Sequence, residues 1–258
     1  MFQLKTDEEV ELLRQSNLLV SATLAAVASL MKPGVSTLEI DRMAEEFIHD
    51  HGGVPGFKGY QGYPATLCVS VNDEVVHGIP SRRILKDGDI VSVDCGVLMN
   101  GFHGDSAFTF TIGVVKPEVL KLIRVTKECL KLGISQAITG KRIGDIGHAI
   151  QKHAEINGFS VVREMVGHGV GRHLHEPPEV PNYGKPGTGE VLQKGLTIAI
   201  EPMINLGKRH IHQDQNGWTI RTADRKPSAH FEHSIVVKDQ IADVLSDFNI
   251  IEEAVLKV

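Results

Sequence analysis

Cysteine is scarce in this chain of 258 residues, since Cys68, Cys95 and Cys129 are odd in number and far apart. That excludes a disulfide framework and a cysteine-type zinc site, and it fits a reducing, cytoplasmic compartment. A secretory leader is also missing, because the opening stretch to Glu11 is acidic and has no apolar core followed by a cleavage site. The longest apolar run, Leu18 to Met31, is broken by Ser21, Thr23 and Ser29 and suits a buried helix rather than a membrane span. Positive charge is not in excess either. With 27 Lys and Arg against 32 Asp and Glu the net charge is −5, which argues against DNA or another polyanion as a partner for the whole surface. Linkers and low-complexity tracts are absent, and neither a G-x-S-x-G elbow nor a Walker loop occurs, so serine-hydrolase and NTPase layouts are excluded.

What is present is the composition of an ordinary globular protein, 41% hydrophobic and 23% charged, long enough to bury a sizeable core. Thr6 with Glu9 makes a capping box for a helix to about Met31, and Ser36 with Glu39 makes another for a helix ended by Gly52 and Gly53. Strands follow at Thr66 to Val71 and, after the loop at Asn72 and Asp73, around Val75 and Val76. The pattern then starts over. Pro117 opens a helix to about Leu132, a further helix spans Ile143 to Asn157, and the stretch Phe159 to Val166 is rich in strand formers. Gly34 to Ile40 resembles Gly140 to Ile146, and at the same offset Gly52 meets Gly158. This reads as a degenerate duplication in one domain over 1–258, with halves of about 1–113 and 114–258 and a site where they meet. Gly167 to Gly189 reads as a long functional loop, Leu196 to Ile200 as a strand, and Trp218 to Thr222 as a strand pairing with Phe231 to Val237.

The stretch from Ile90 to Phe110 is a β-hairpin by its alternation and by Asn100-Gly101, which suits a two-residue type I′ turn. If Met99 faces Phe102, Asp105 stands opposite Gly96, and Asp94 and Asp105 become diagonal neighbours on one face. Two carboxylates placed so are either exposed sheet acids or a pair held together by cations. Glu201 ends the apolar run from Leu196, and Glu232 sits in the run Phe231 to Val237, so each needs a cation, a metal or an arginine. Taken with Asp94 and Asp105, a shared metal site is the better account than separate ion pairs. His168 stands among Gly167, Gly169 and Gly171. His77 and His175 are candidates for proton transfer or oxyanion binding, or else plain loop histidines.

The stretches His77 to Pro80, Asp87 to Val91, Gly101 to Asp105, Gly167 to Gly171, Ile200 to Pro202 and Phe231 to His233 jointly resemble the type I methionine aminopeptidases, and the resemblance covers essentially the whole chain. It implies an α/β (α+β) "pita-bread" fold, two pseudo-symmetric halves around a dinuclear site. The metal ligands implied are Asp94, Asp105, His168, Glu201 and Glu232, an oxygen-rich set suited to two divalent ions such as Co, Mn, Fe or Zn. The implied reaction removes N-terminal methionine from peptides and nascent chains when the next residue is small. Glu201 takes the proton of the attacking water, His175 supports the oxyanion and His77 positions the peptide. The methionine pocket implied is Tyr60, Tyr63, Cys68 and Trp218, with His77 and His175 beside it. Leu174 departs from relatives that carry an aromatic there. With no zinc-finger extension and no helical insertion, the chain resembles the short bacterial form. Proline-specific peptidases of the same fold and non-catalytic peptide- or ribosome-binding relatives are the alternatives. Lys121, Arg124, Lys127 and Lys131 form a basic stripe, read as a solvated helix face or as a transient ribosome contact.

Overall fold

The structure, a computed structural model, describes residues 2–257. Helices α1 (Asp7–Ala28) and α2 (Thr37–Asp50) come first, both opened by the expected capping boxes. Strands β1 (Val54–Pro55), β2 (Leu67–Val71), β3 (Glu74–Val76), β4 (Ile90–Met99) and β5 (Phe102–Thr111) complete the first half. The second half repeats the order with α3 (Pro117–Gln136) and α4 (Ile143–Ile156). Its strands are β6 (Ser160–Val161), β7 (Gly167–Gly169), β8 (Glu176–Val180), β9 (Thr197–Ile200), β10 (Met203–Asn205), β11 (Ile211–Gln213), β12 (Ile220–Thr222), β13 (Ser228–His230), β14 (His233–Val236) and β15 (Asp243–Val244), followed by α5 (Phe248–Val255).

The β4–β5 hairpin has the register its turn dictates. Asn100 and Gly101 take φ of 54° and 77°, as a type I′ turn requires, and Met99 pairs with Phe102. Gly96 therefore faces Asp105 and Asp94 faces Ala107. In the second half the long sheet runs β15-β14-β9-β7-β8. The two halves are stitched along β5 by buried polar groups: Ser106 Oγ donates to Glu232 O at 2.6 Å, Ser234 Oγ to Asp105 O at 2.8 Å and Thr109 Oγ1 to His230 O at 2.6 Å. Glu232 N–H donates to Ala107 O at 3.0 Å. Such bonds satisfy backbone groups that would otherwise be stranded in the interior, and they hold residues 230–234 against the hairpin. Around this seam lies one apolar core that takes Leu24, Ile40, Val93, Leu122, Ile146 and Ile198 from both halves. Among the described residues no helix is long and apolar enough to cross a membrane.

Several expectations differ from what is seen, among them α1, which ends at Ala28 rather than Met31, and the stretch 159–166, of which only Ser160–Val161 is a strand. Helix α3 continues past Leu132 to Gln136, because Gly133 does not cap it but stays helical and lets α3 pack closely on Ile150 and Ile200. The 167–189 stretch is not one loop, since β7 and β8 lie inside it and pair with each other. Residues 218–222 do not pair with 231–237. β12 pairs with β11 and β3, whereas β14 pairs with β9 and β15. Short strands of this kind have many neighbours of equal propensity, and the sheet that forms is chosen by side-chain burial rather than by nearness in the chain.

Candidate active site

Asp94 and Asp105 reach the site from the two strands of the hairpin, Glu201 from the residue after β9, Glu232 from the residue before β14 and His168 from the middle of β7. One ligand atom each from Asp105, His168 and Glu232 lies within 4.8 Å of the others. Nε2 of His168 is 3.7 Å from Asp105 Oδ2 and 3.6 Å from Glu201 Oε1. Buried in this cluster, Asp94 Oδ1, Asp105 Oδ1 and Glu232 Oε1 have no hydrogen-bond partner among the described residues. Three unpartnered carboxylate oxygens in one place are costly unless a cation accompanies them.

Burial and mutual repulsion act on the protons in the same direction. Burial lifts Asp94 to about 7. Asp105 and Glu201 are also lifted by burial and then by the Asp94 charge, and Glu232 by burial, Asp105 and Glu201. His168 goes the other way, lowered to about 3 mainly by burial, so the ring is neutral. Its Nδ1–H donates to Gly169 O at 2.9 Å, which leaves the Nε2 lone pair turned toward the carboxylates. A neutral imidazole with a free lone pair among hard oxygen donors fits a divalent transition-metal ion well.

These groups form one end of a cavity of about 500 Å³. The other end is apolar. Tyr63, Cys68, Phe57 and Leu174 pack as a cluster with Tyr60 and Trp218 against it. Tyr63 meets Trp218 edge-on at 5.1 Å between ring centres, and its hydroxyl is spent on Leu67 O and Gly78 O, both at 3.0 Å. Cys68 pairs across the sheet with Asp94, and burial pushes its thiol pKa up, so a neutral sulfur faces the cavity. Between the two ends stand the remaining histidines. His77 is held at φ 58°, a strained backbone for a side-chain-bearing residue, and burial lowers its pKa to about 4. His175 stacks edge-on over His168 at 4.3 Å, and its Nδ1 is 2.7 Å from the Tyr60 hydroxyl.

Every side chain that the sequence suggested for metal, catalysis or the methionine pocket thus lines this one cavity. Sequence reasoning missed Phe57 and Met165, which also line it, and it missed His230. The His230 ring is buried, its pKa lowered by burial to about 3, and its Nε2, without a hydrogen-bond partner among the described residues, lies 3.7 Å from Glu201 Oε2. A signal was there, because a histidine two residues ahead of Glu232 in an apolar run has the same burial problem as the glutamate. Of the basic stripe, Lys121 bonds Asn157 O, Arg124 pairs with Glu128 and Lys127 with Glu252, which is the behaviour of an ordinary helix face.

Residues 11–239 match the metallopeptidase family M24. A methionine aminopeptidase of Clostridium perfringens is 48% identical over 246 residues, covering 95% of this chain and 99% of that protein. The crystal structure of a methionine aminopeptidase from Thermotoga maritima superposes with a TM-score of 0.94 at 43% identity, covering 96% of this chain and 100% of that one. A prolidase from Pyrococcus furiosus shares the fold, with a TM-score of 0.78 at 20% identity, and this chain covers 65% of it.

Proposed function

The chain belongs to the metallopeptidase family M24, with methionine aminopeptidases similar to it along almost its full length, and we propose that it removes N-terminal methionine from peptides and nascent chains in the cytoplasm. The observation that supports this most is the polarity of the cavity. Its acidic end gathers carboxylate oxygens without partners, and its apolar end offers aromatic rings and a thiol to a thioether.

Asp94, Asp105, His168, Glu201 and Glu232 would hold two divalent ions, with Mn, Fe, Co and Zn all compatible with the donor set. Bound there, the ions supply Lewis acidity and make water a stronger acid. The protein's own groups do the rest. Glu201, at the edge of the cluster, receives the proton of the water that attacks the first peptide carbonyl. His175 donates a hydrogen bond to the oxygen on which negative charge develops, and Tyr60 holds its ring. His77 contacts the peptide beyond the methionine. The free amine of the substrate lies at the Asp94 side, which limits cleavage to the first bond. A bulky second side chain meets His77 and His175, so small second residues are preferred.

The test is product analysis with Met-Ala-Ser, Met-Lys-Ser and an Xaa-Pro peptide, each with a panel of divalent metals. Release of methionine from the first peptide only is the expected outcome. Equal cleavage of the first two would sink the second-residue pocket, preference for Xaa-Pro would point to a prolidase-like activity, and turnover in a chelated preparation would remove the metal.

A further inference from the structure

The segment ahead of α1 touches the loop that carries His175, and it does so with a buried charge. Nζ of Lys5 lies 2.8 Å from Glu176 Oε2, with the two side chains only 3% and 7% exposed. The same ammonium donates to Gln3 O at 3.1 Å, and the Lys5 backbone N–H donates to Gly195 O at 2.8 Å. Glu176 uses its second oxygen locally, accepting the backbone N–H of His173 at 3.1 Å. The carboxylate therefore closes residues 173–176 into a ring, with His175 on its rim.

Two further contacts tie that ring down. His103 N–H donates to Gly171 O at 2.8 Å, and Gly171 N–H donates to His173 O at 3.1 Å. A Cβ on Gly171 would stand 2.5 Å from Glu176 Oε1 and 2.6 Å from Lys5 Nζ, so the ion pair lies directly on the backbone of the loop. Glu176 also pairs with Gly169, the residue after His168. The pair is thus one residue from His175, and through the β7–β8 ladder it is close to His168. Lys5 itself does not line the cavity.

We propose that Lys5 is a positioning residue for the hydrolysis: its ion pair with Glu176 fixes the 171–176 loop so that the His175 ring stays where it can meet the developing oxyanion. This rests on the role given above to His175. A buried ion pair is poor value for stability alone, since an apolar pair of the same size does as well, whereas it does hold two chain segments in one register. An oxyanion donor needs that precision, because a displacement of about 1 Å at the reacting groups costs on the order of 10²-fold in rate.

The experiment is a cycle on the metal-loaded full chain with Lys5→Met, Lys5→Arg, His175→Ala and the Lys5→Met/His175→Ala double variant. Steady-state kinetics on Met-Ala-Ser, calorimetric metal titration and thermal melting are read for each. Lys5→Met should lower kcat by on the order of 10–100-fold, with KM and bound metal close to wild type, and Lys5→Arg should recover most of the loss. In the His175→Ala background Lys5→Met should change kcat no further, because the group it positions is gone. An equal fall of kcat in both backgrounds would mark Lys5 as merely structural and overturn the inference, as would an unchanged kcat in Lys5→Met. Should Lys5→Met fail to fold, Glu176→Gln takes its place in the cycle with the same expectations, since the amide still accepts the His173 N–H. If His175→Ala alone left kcat intact, the oxyanion role would be wrong and the positioning role would fall with it, an outcome distinct from additivity.

Discussion

The two antiparallel ladders that bring acids to the cleft have the same register and different turns. In the first, β4 and β5 pair without a break from Ile90↔Thr111 to Met99↔Phe102 around Asn100-Gly101. In the second, Ile200↔His233 and Met203↔His230 belong to one continuous count, but the chain leaves between Asn205 and Ser228 to form β11 and β12 and to carry Trp218. The approaches match as well. Gly34 N–H bonds Leu85 O as Gly140 N–H bonds Leu192 O, and Asp94 stands as far beyond Gly88 as Glu201 stands beyond Gly195. Asp94 and Glu201 are therefore counterparts. Their partners are not, because the place of Asp105 opposite Gly96 is taken in the second ladder by His230 opposite Met203, and Glu232 corresponds to Ala107. The repeated backbone delivers two equivalent strand ends to one cleft, while the side chains on them differ.

The strongest test of this comparison removes one acid from each ladder. Asp105→Ala and Glu232→Ala should each lower metal affinity and turnover together, by more than the roughly 10–100-fold that loss of an outer-shell partner costs. Metal titration beside kinetics would break the comparison if one variant kept both ions and the other did not. Next in size, His175→Ala should lower kcat by about 10²–10³ with metal binding intact, as expected for an oxyanion donor rather than a ligand. A lost ion in that variant would make His175 a ligand and give the second half one ligand more. Smaller still, Trp218→Ala should reduce kcat/KM on Met-Ala-Ser by about 10-fold, within the usual range for a trimmed apolar pocket. Unchanged kinetics there would mean that the excursion of the second ladder has no part in binding.

The remaining effect is on stability rather than turnover and sharpens the contrast between site acids and cap acids. Asp94 has its folded pKa raised to about 7, chiefly by burial, above an unfolded value of about 4. Its contribution is full below the unfolded pKa and is lost as pH rises through the folded one, because the unfolded chain releases the proton first. The capping glutamates Glu9 and Glu39 are lowered by their hydrogen bonds and act oppositely, contributing above the unfolded value and losing it in acid. Chelated protein should therefore lose stability from pH ~4 toward 7 by no more than about 1.4 kcal/mol per unit for this one proton, and Asp94→Asn should remove that part of the slope. The buried His168 and His230, both near 3, lose stability as pH falls below about 6.5 in either protein, so the difference between the two urea-melt series reads Asp94 together with Asp105, Glu201 and Glu232, whose protons its charge helps to retain. Identical slopes would show that the aspartate is ionised in the metal-free fold.

Sequence by itself determined the helices with their capping boxes, the hairpin and its register, and the placing of Asp94 and Asp105 on one sheet face. Each of these rests on contacts within a few residues, so side-chain periodicity and a turn dipeptide suffice to specify them. It also marked Glu201 and Glu232 as acids out of place, since a carboxylate in an apolar run must find a cation wherever the chain goes. Tertiary structure alone decided where that was. The bonds of Ser106, Ser234 and Thr109 that press residues 230–234 onto β5 join positions more than a hundred residues apart, and no local preference encodes them. The same holds for β12, which took β3 and β11 instead of the neighbouring 231–237 run, and for Lys5, whose charge is neutralised by Glu176, a residue of the cavity wall 171 positions further along the chain. Short strands and single buried charges are compatible with many partners, and the partner is chosen by the collective burial of the core, which exists only once both halves have closed on each other.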